Sequence, residues 1–293
     1  MNNKIRINNS LGEVIFDIFN YLFLIIFSLV SILPFLNILA SSFTNDAEIR
    51  SRSFFIIPHH ITLDAFKYVF SSNTIMNSIF ISIFVTLIGT FINLLFTVTM
   101  AYPLSRKNLM GRSFILNSVI FTMVFSGGMI PTYLVIKSLH LINSYWSLWL
   151  PSAIGAMNLI IVKNFFEEMP QDLREAATID GCTEVQILFK IILPLAKPMV
   201  ATFALFYAVS HWNNFMGPLL YINDSEKWPF QIILRQLIIL SRTATQLDET
   251  QIAAPQESMK MAVIVVGMLP IMLVYPFLQK YFAKGVMTGA IKG

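Results

Sequence analysis

The chain has 293 residues, 56% of them hydrophobic and 12% charged, with a mean hydropathy of +0.68. Soluble domains carry about 25% charged residues, so this composition excludes a water-soluble fold. The net charge of +4 reflects an asymmetry between loops and gives no argument for nucleic acid.

Six windows contain no Asp, Glu, Lys or Arg: 18–45, 68–105, 113–136, 138–162, 198–223 and 261–279. Each meets the roughly 20 residues a helix needs to cross about 30 Å of hydrocarbon. Backbone amides in lipid must be satisfied within the segment, so runs this long read as helices. The expected fold is an all-α polytopic membrane protein, one transmembrane domain over 1–293. Its six transmembrane helices are predicted at about 15–40, 74–102, 113–137, 145–165, 198–221 and 261–282, with a polar loop over 167–197.

The first apolar run, Ile15 to Ala40, exceeds the 7–15 residues of a signal-peptide core and reads as a retained anchor helix. Within the third span, Ser126-Gly127-Gly128-Met129-Ile130-Pro131 either serves helix packing or breaks the helix beside a cavity or gate. Amides and aromatic rings, but few ionisable groups, occupy the spans. Asn93, Asn158, Asn213 and Asn214 lie there with Tyr207 and Trp212, and His211 is the one titratable imidazole in a span. The shortage of charge argues against proton coupling, voltage sensing and intramembrane catalysis. Neutral amides beside aromatic faces suit a hydroxyl-rich cargo. They equally suit interhelical hydrogen bonds. Asn158, Trp212, Asn213 and Asn214 are the candidate substrate-path residues. Region 222–260 reads as a long loop.

Lys and Arg set the orientation. Twelve of the twenty basic residues flank alternate ends of the spans, from Lys4 and Arg6 to Lys280, Lys284 and Lys292. Both termini and loop 167–197 are therefore expected in the cytoplasm. The lone Cys182 and four scattered histidines give neither a disulfide nor a metal site. No Gly-Lys dipeptide occurs, so the phosphate-cradling loop of an ATPase is absent from this sequence. Any energy for uphill transport must come from another chain.

Loop 167–197 carries the densest pattern. Pro170, Asp172 and Glu175 suit a helix N-terminus, where proline loses no bond and negative charge meets the positive end. Leu173, Ala176 and Ala177 form an apolar stripe, and Gly181 can close the helix in the left-handed conformation. Thr183 with Gln186 matches a capping box opening a second helix. Val185, Leu188, Phe189 and Ile192 are expected on one face of it, with Pro194 as its stop. Two short helices at an angle make a plug for a cleft in a soluble partner; the alternative is an ordinary interfacial linker.

The spacing Glu175-Ala176-Ala177, Gly181, Ile191, Leu193-Pro194 resembles the EAA loop of permease subunits of bacterial ABC importers. From about residue 15 onward the chain looks like the carbohydrate-importing, maltose-importer-like branch. Phe125–Tyr133 and Asn164-Phe165-Phe166 resemble permeases for complex oligosaccharides of the alginate and pectin-fragment type. The tail Gly285–Gly293 resembles that of the smaller maltose permease subunit. The resemblance implies a type I importer permease fold in the bacterial cell membrane. It implies ATPase docking through Glu175, Ala176, Ala177, Asp180, Gly181, Ile191, Leu193 and Pro194. The implied partners are a second permease subunit in a heterodimer, two ATPase subunits holding ATP and Mg, and an extracellular solute-binding protein. No cofactor is implied for this chain itself. The loop signature is shared across importers, so an amino-acid or peptide cargo is the nearer rival. A channel or a membrane enzyme would leave the loop pattern without purpose.

Overall fold

The computed structural model describes residues 11–52, 54–244 and 257–290, with side chains placed for 12–52, 54–239 and 257–276. In chain order its helices are α1 (Leu11–Ser42), α2 (Asp46–Ser51), α3 (Asp64–Ser71), α4 (Asn73–Leu104), α5 (Arg112–Val124), α6 (Met129–Ser138), α7 (Trp146–Trp149) and α8 (Ala156–Glu167). There follow α9 (Asp172–Ile179), α10 (Glu184–Ile187), a π-helical turn (Leu188–Ile192), α11 (Leu193–Leu195), α12 (Lys197–Asn213), α13 (Met216–Tyr221), α14 (Phe230–Ala244) and α15 (Glu257–Ala290). Lys4, Arg6 and Lys292 lie outside the described residues, as do the side chains of Gly285–Gly293.

Among the described residues, three helices are long and apolar enough to cross a membrane: Gly12–Ser42, Asn73–Leu104 and Glu257–Pro276. A fourth crossing is available if Glu184–Leu195 and Lys197–Asn213, bent by 85° at Ala196, act together. Residues 15–40, 74–102 and 261–282 fall within α1, α4 and α15. The predicted spans 113–137, 145–165 and 198–221 are each divided into two helices. The division follows local chemistry. Gly128 takes φ +85 between α5 and α6, Pro151 and Gly155 lie between α7 and α8, and Asn214 ends α12 in an extended conformation. Broken helices survive at membrane depth where protein or a cavity satisfies the freed backbone groups.

The chain divides into two compact units, residues 1–71 with 240–266 and residues 72–239 with 267–293. In the first, α1 exposes apolar side chains along its length, for instance Phe16, Phe19, Ile25 and Phe27, a surface suited to lipid rather than water. Segment 43–62 is organised by the buried Glu48, whose carboxylate accepts from Thr44 Oγ1 (2.7 Å), the His59 amide (2.9 Å) and Arg52 Nη1 (3.1 Å). Asp46 accepts from the amides of Glu257 (3.2 Å) and Ser258 (3.0 Å). It thereby neutralises the positive end of α15.

In the second unit α4 is the central strut. Ser72 caps its start through the Ile75 amide, and Pro103 lies in its last turn. It runs antiparallel to α12: Asn93 meets His211, and one turn on Thr97 Oγ1 meets Tyr207 Oη at 2.8 Å. Gly89 allows this approach, because a Cβ there would fall 2.5 Å from His211 Nε2. Elsewhere on α4, Asn77 Nδ2 donates to the Glu226 carbonyl (2.9 Å), and the Phe230 amide donates to Ser82 Oγ (2.7 Å). Phe230 opens α14, a helix within the region expected to be loop. Its apolar positions Phe230, Ile233, Leu234 and Leu237 alternate with Gln231, Arg235 and Gln236, an amphipathic pattern.

Candidate docking loop and substrate-path residues

The loop between α8 and α12 folds as two short helices joined at Gly181. α9 carries Asp172 and Glu175 in its first turn. Gly181 adopts φ +80, and a Cβ placed there would meet nothing within 4 Å. Its requirement is therefore conformational, not steric. Left-handed backbone costs an ordinary L-residue roughly 1–2 kcal/mol. The capping box is present: Thr183 Oγ1 accepts from the Gln186 amide (3.3 Å), and the Thr183 amide donates to Gln186 Oε1 (3.0 Å).

The expected apolar faces are each split. Ala177 is buried at 4%, whereas Leu173 and Ala176 are exposed. Of the four residues expected together on the second helix, Leu188 and Ile192 are buried while Val185 (66% exposed) and Phe189 (48%) face outward. Val185 and Phe189 share one strip of the helix and Leu188 and Ile192 the neighbouring one, and only the second faces the core. Beyond Ile187 a π turn over Leu188–Ile192, in which the Leu193 amide bonds five residues back to the Leu188 carbonyl, leads into Pro194, which lacks an N–H.

Inward-facing residues of the loop join a core made with α4, α8 and α12. Ala177, Ile187, Leu188 and Ile192 pack with Val98, Ala101, Leu104, Leu159, Val162, Phe166 and Phe203, and Ile191 and Leu193 pack on its edge. Ile191 and Leu193 thus anchor the loop more than they present it. Outward face Glu175, Ala176, Asp180, Gly181 and Pro194, with Ile179 exposed at 86%. An isoleucine so exposed, on a loop that also exposes Val185, Glu175 and Asp180, is a surface suited to a partner.

Charged groups tie the loop down, and sequence reasoning missed them. Glu184 accepts from Tyr102 Oη (2.8 Å), Arg106 Nη2 (2.8 Å) and Arg174 Nη2 (3.0 Å). Glu167 accepts from Arg112 Nη2 (3.0 Å) and pairs with Lys163 Nζ (2.5 Å). The Lys163 ammonium, with Arg112 adding to it, holds the Glu167 carboxyl below the usual carboxylate range against the opposing effect of burial. A cavity of about 360 Å3 lies between Tyr102, Arg106, Phe166, Glu167, Pro170 and Arg174.

The substrate-path candidates do not converge. Trp212 is buried at 5% and offers no ring face to a pathway in this conformation. Asn214 Oδ1 accepts from the Gly217 amide (3.1 Å), capping the start of α13. Asn213 is exposed at the end of α12, and Asn158 is half-buried in the first turn of α8. The amide that does join two helices is Asn93, whose Nδ2 also donates to the Ser152 carbonyl.

Residues 94–288 match the family described as binding-protein-dependent transport system inner membrane component. The chain belongs to this family. The permease is 56% identical to Protein LplC of Bacillus subtilis (strain 168), over 98% of this chain and 97% of that protein. It is 50% identical to the polygalacturonan/rhamnogalacturonan transport system permease protein YtcP of the same organism, over 95% and 99%. Among solved structures, a bacterial ABC transporter involved in the import of the acidic polysaccharide alginate has a chain that superposes with a TM-score of 0.85 at 33% identity. That match covers 94% of the permease and 99% of the other chain. The permease is thus an all-helical, multi-pass inner-membrane subunit of an ABC importer. It is a transport subunit, not an enzyme, and works as part of a transporter complex.

Proposed function

We propose that the permease carries oligosaccharides, pectin-type fragments foremost, delivered by an extracellular solute-binding protein. The support is the 50% identity to a permease named for polygalacturonan and rhamnogalacturonan, with a 30% identical relative named for arabinooligosaccharides. An amino-acid or peptide cargo is the rival. Uptake by cells depends on the permease gene for oligogalacturonides or rhamnogalacturonan fragments under this reading, and for peptides under the rival.

The chain forms one permease domain of six spans, three of them broken, with both termini and loop 167–197 in the cytoplasm. It pairs with a second, homologous permease subunit as a heterodimer. Two ATPase subunits, which hold ATP and Mg, each receive a coupling loop. Here that loop is α9–Gly181–α10, with Glu175 and Asp180 offered to basic groups and Ile179 and Val185 to an apolar cleft. The observation that carries this is the division of the loop into a buried root, Ala177, Ile187 and Leu188, and an exposed crown around Ile179. ATP-driven closure of the motors moves the loops and alternates access to a midplane site. Glu175→Lys should abolish retention of the ATPase subunits while leaving membrane insertion intact; retention at the wild-type level would refute the docking assignment.

A further inference from the structure

We infer that Glu184 is a positioning residue that locks both coupling helices to the end of α4, so that loop and strut move as one body. The inference rests on the docking role proposed above and adds the route by which motion leaves the loop.

Glu184 is the first residue of α10, directly after the capping Thr183. Its two carboxylate oxygens divide the work. Oε1 accepts from Arg174 of α9, and Oε2 accepts from Tyr102 and Arg106 at the end of α4. One side chain therefore bonds three residues that lie 10, 78 and 82 positions before it in sequence. The assembly is braced further. Tyr102 Oη also accepts from Arg106 Nη2, and the Arg106 guanidinium lies 4.5 Å from the Tyr102 ring centroid. Arg106 has 17% side-chain exposure and Glu184 56%, so water screens the carboxylate as in other surface pairs. The clasp rests on three donors converging on one carboxylate rather than on the strength of a single ion pair.

Gly181 makes this lock necessary. α9 and α10 are joined by a glycine turn that has open space around it, and the cavity of about 360 Å3 lies beside α9. Packing of Ala177 and Ile187 alone would leave α9 able to pivot about that turn. Arg174 held on Glu184 removes the pivot, and Tyr102 and Arg106 pass the load to α4. From there α4 carries it to α12 through Thr97–Tyr207 and Asn93–His211, and to segment 226–230 through Asn77 and Ser82. Coupling between distant sites needs a rigid element that both can bias; α4 with its clasp supplies one.

The test uses the complete transporter in nanodiscs, with Cys182→Ser as background and spin labels at Met110 and at Gln171, the residue that opens α9, both exposed. Inter-label distances are read without nucleotide and after trapping with ATP and vanadate. The expected result is a narrow distribution, unchanged by trapping, in the parent. In Glu184→Ala the distribution broadens and shifts on trapping, and Glu184→Asp restores the parental behaviour. Should Glu184→Ala fail to assemble, Arg174→Ala, which removes only the α9 arm, must broaden the distribution. Parental distances that change on trapping, or variants that behave as the parent, would overturn the clasp. ATPase subunits that fail to co-purify with the parent would instead refute the docking role beneath it.

Discussion

His211 Nε2 lies 2.6 Å from Asn93 Oδ1, joining the one titratable imidazole of the spans to an amide that links α4 to α12. Without that bond each group would be a buried polar atom in an apolar interface, a cost of roughly 1–3 kcal/mol. The contact exists because Gly89, one turn before Asn93, has no side chain. Gly89→Ala would place a Cβ 2.5 Å from His211 Nε2, and the imidazole is held by Asn93 and cannot swing clear. Overpacking of this kind costs about 1–3 kcal/mol, more than the roughly 1 kcal/mol that alanine gains over glycine in a helix. The variant should melt below the parent in detergent, and His211→Ala added to it should recover part of the loss.

Gly267 makes a second close approach of the same kind. A Cβ there would fall 2.2 Å from Phe230 Cε1, and Phe230 is fully buried. Gly267→Ala should lower the melting temperature, and Phe230→Leu should relieve the clash in the double variant.

Gly181 differs in cause. Its φ of +80 with empty surroundings makes backbone conformation the determinant. Asn tolerates the left-handed region where β-branched residues do not. Gly181→Asn should retain most transport, and Gly181→Val should lose it while membrane insertion, followed by fractionation, is unchanged.

The Glu48 clasp predicts a pH response in segment 43–62. The His59 amide first, then the Thr44 hydroxyl, hold its carboxyl at about 2, below its ordinary 4.5. A depressed folded value means stabilisation that is complete above the ordinary value and is lost as pH falls from there through about 2. Proteolysis of segment 43–62 should therefore stay slow down to about pH 4.5 and accelerate below it. In Glu48→Gln it should be faster at neutral pH and nearly flat across the same window.

Much of this architecture is legible in the residues. The end of α4 follows from where charge resumes at Arg106, whereas α1 starts at Leu11, ahead of Glu13 and Asp17. Gly181 and the Thr183–Gln186 box are local rules that hold in any context. At Gly127-Gly128 apolar composition favours helix packing over breakage, and the structure breaks the helix there, between Val124 and Met129 with Gly128 at φ +85. α14 carried a helical signal in Phe230, Ile233, Leu234 and Leu237 that a loop reading passed over. What composition cannot supply is partnership across the chain. Spans apolar all round show no periodicity to say which face meets which, so Asn93 and His211, 118 positions apart, cannot be paired from sequence. Glu184 reads as an ordinary first-turn acid until Tyr102 and Arg106 are brought beside it. The π turn over Leu188–Ile192 is equally hidden.

The central claim is that Ile179 and its neighbours enter a cleft on an ATPase subunit. A photo-crosslinking residue placed at Ile179, in the assembled transporter, measures this most directly. The account predicts irradiation-dependent adducts to the ATPase subunit, and their loss in the Glu175→Lys background. Adducts only to lipid or to the second permease, with ATPase still bound, would contradict it.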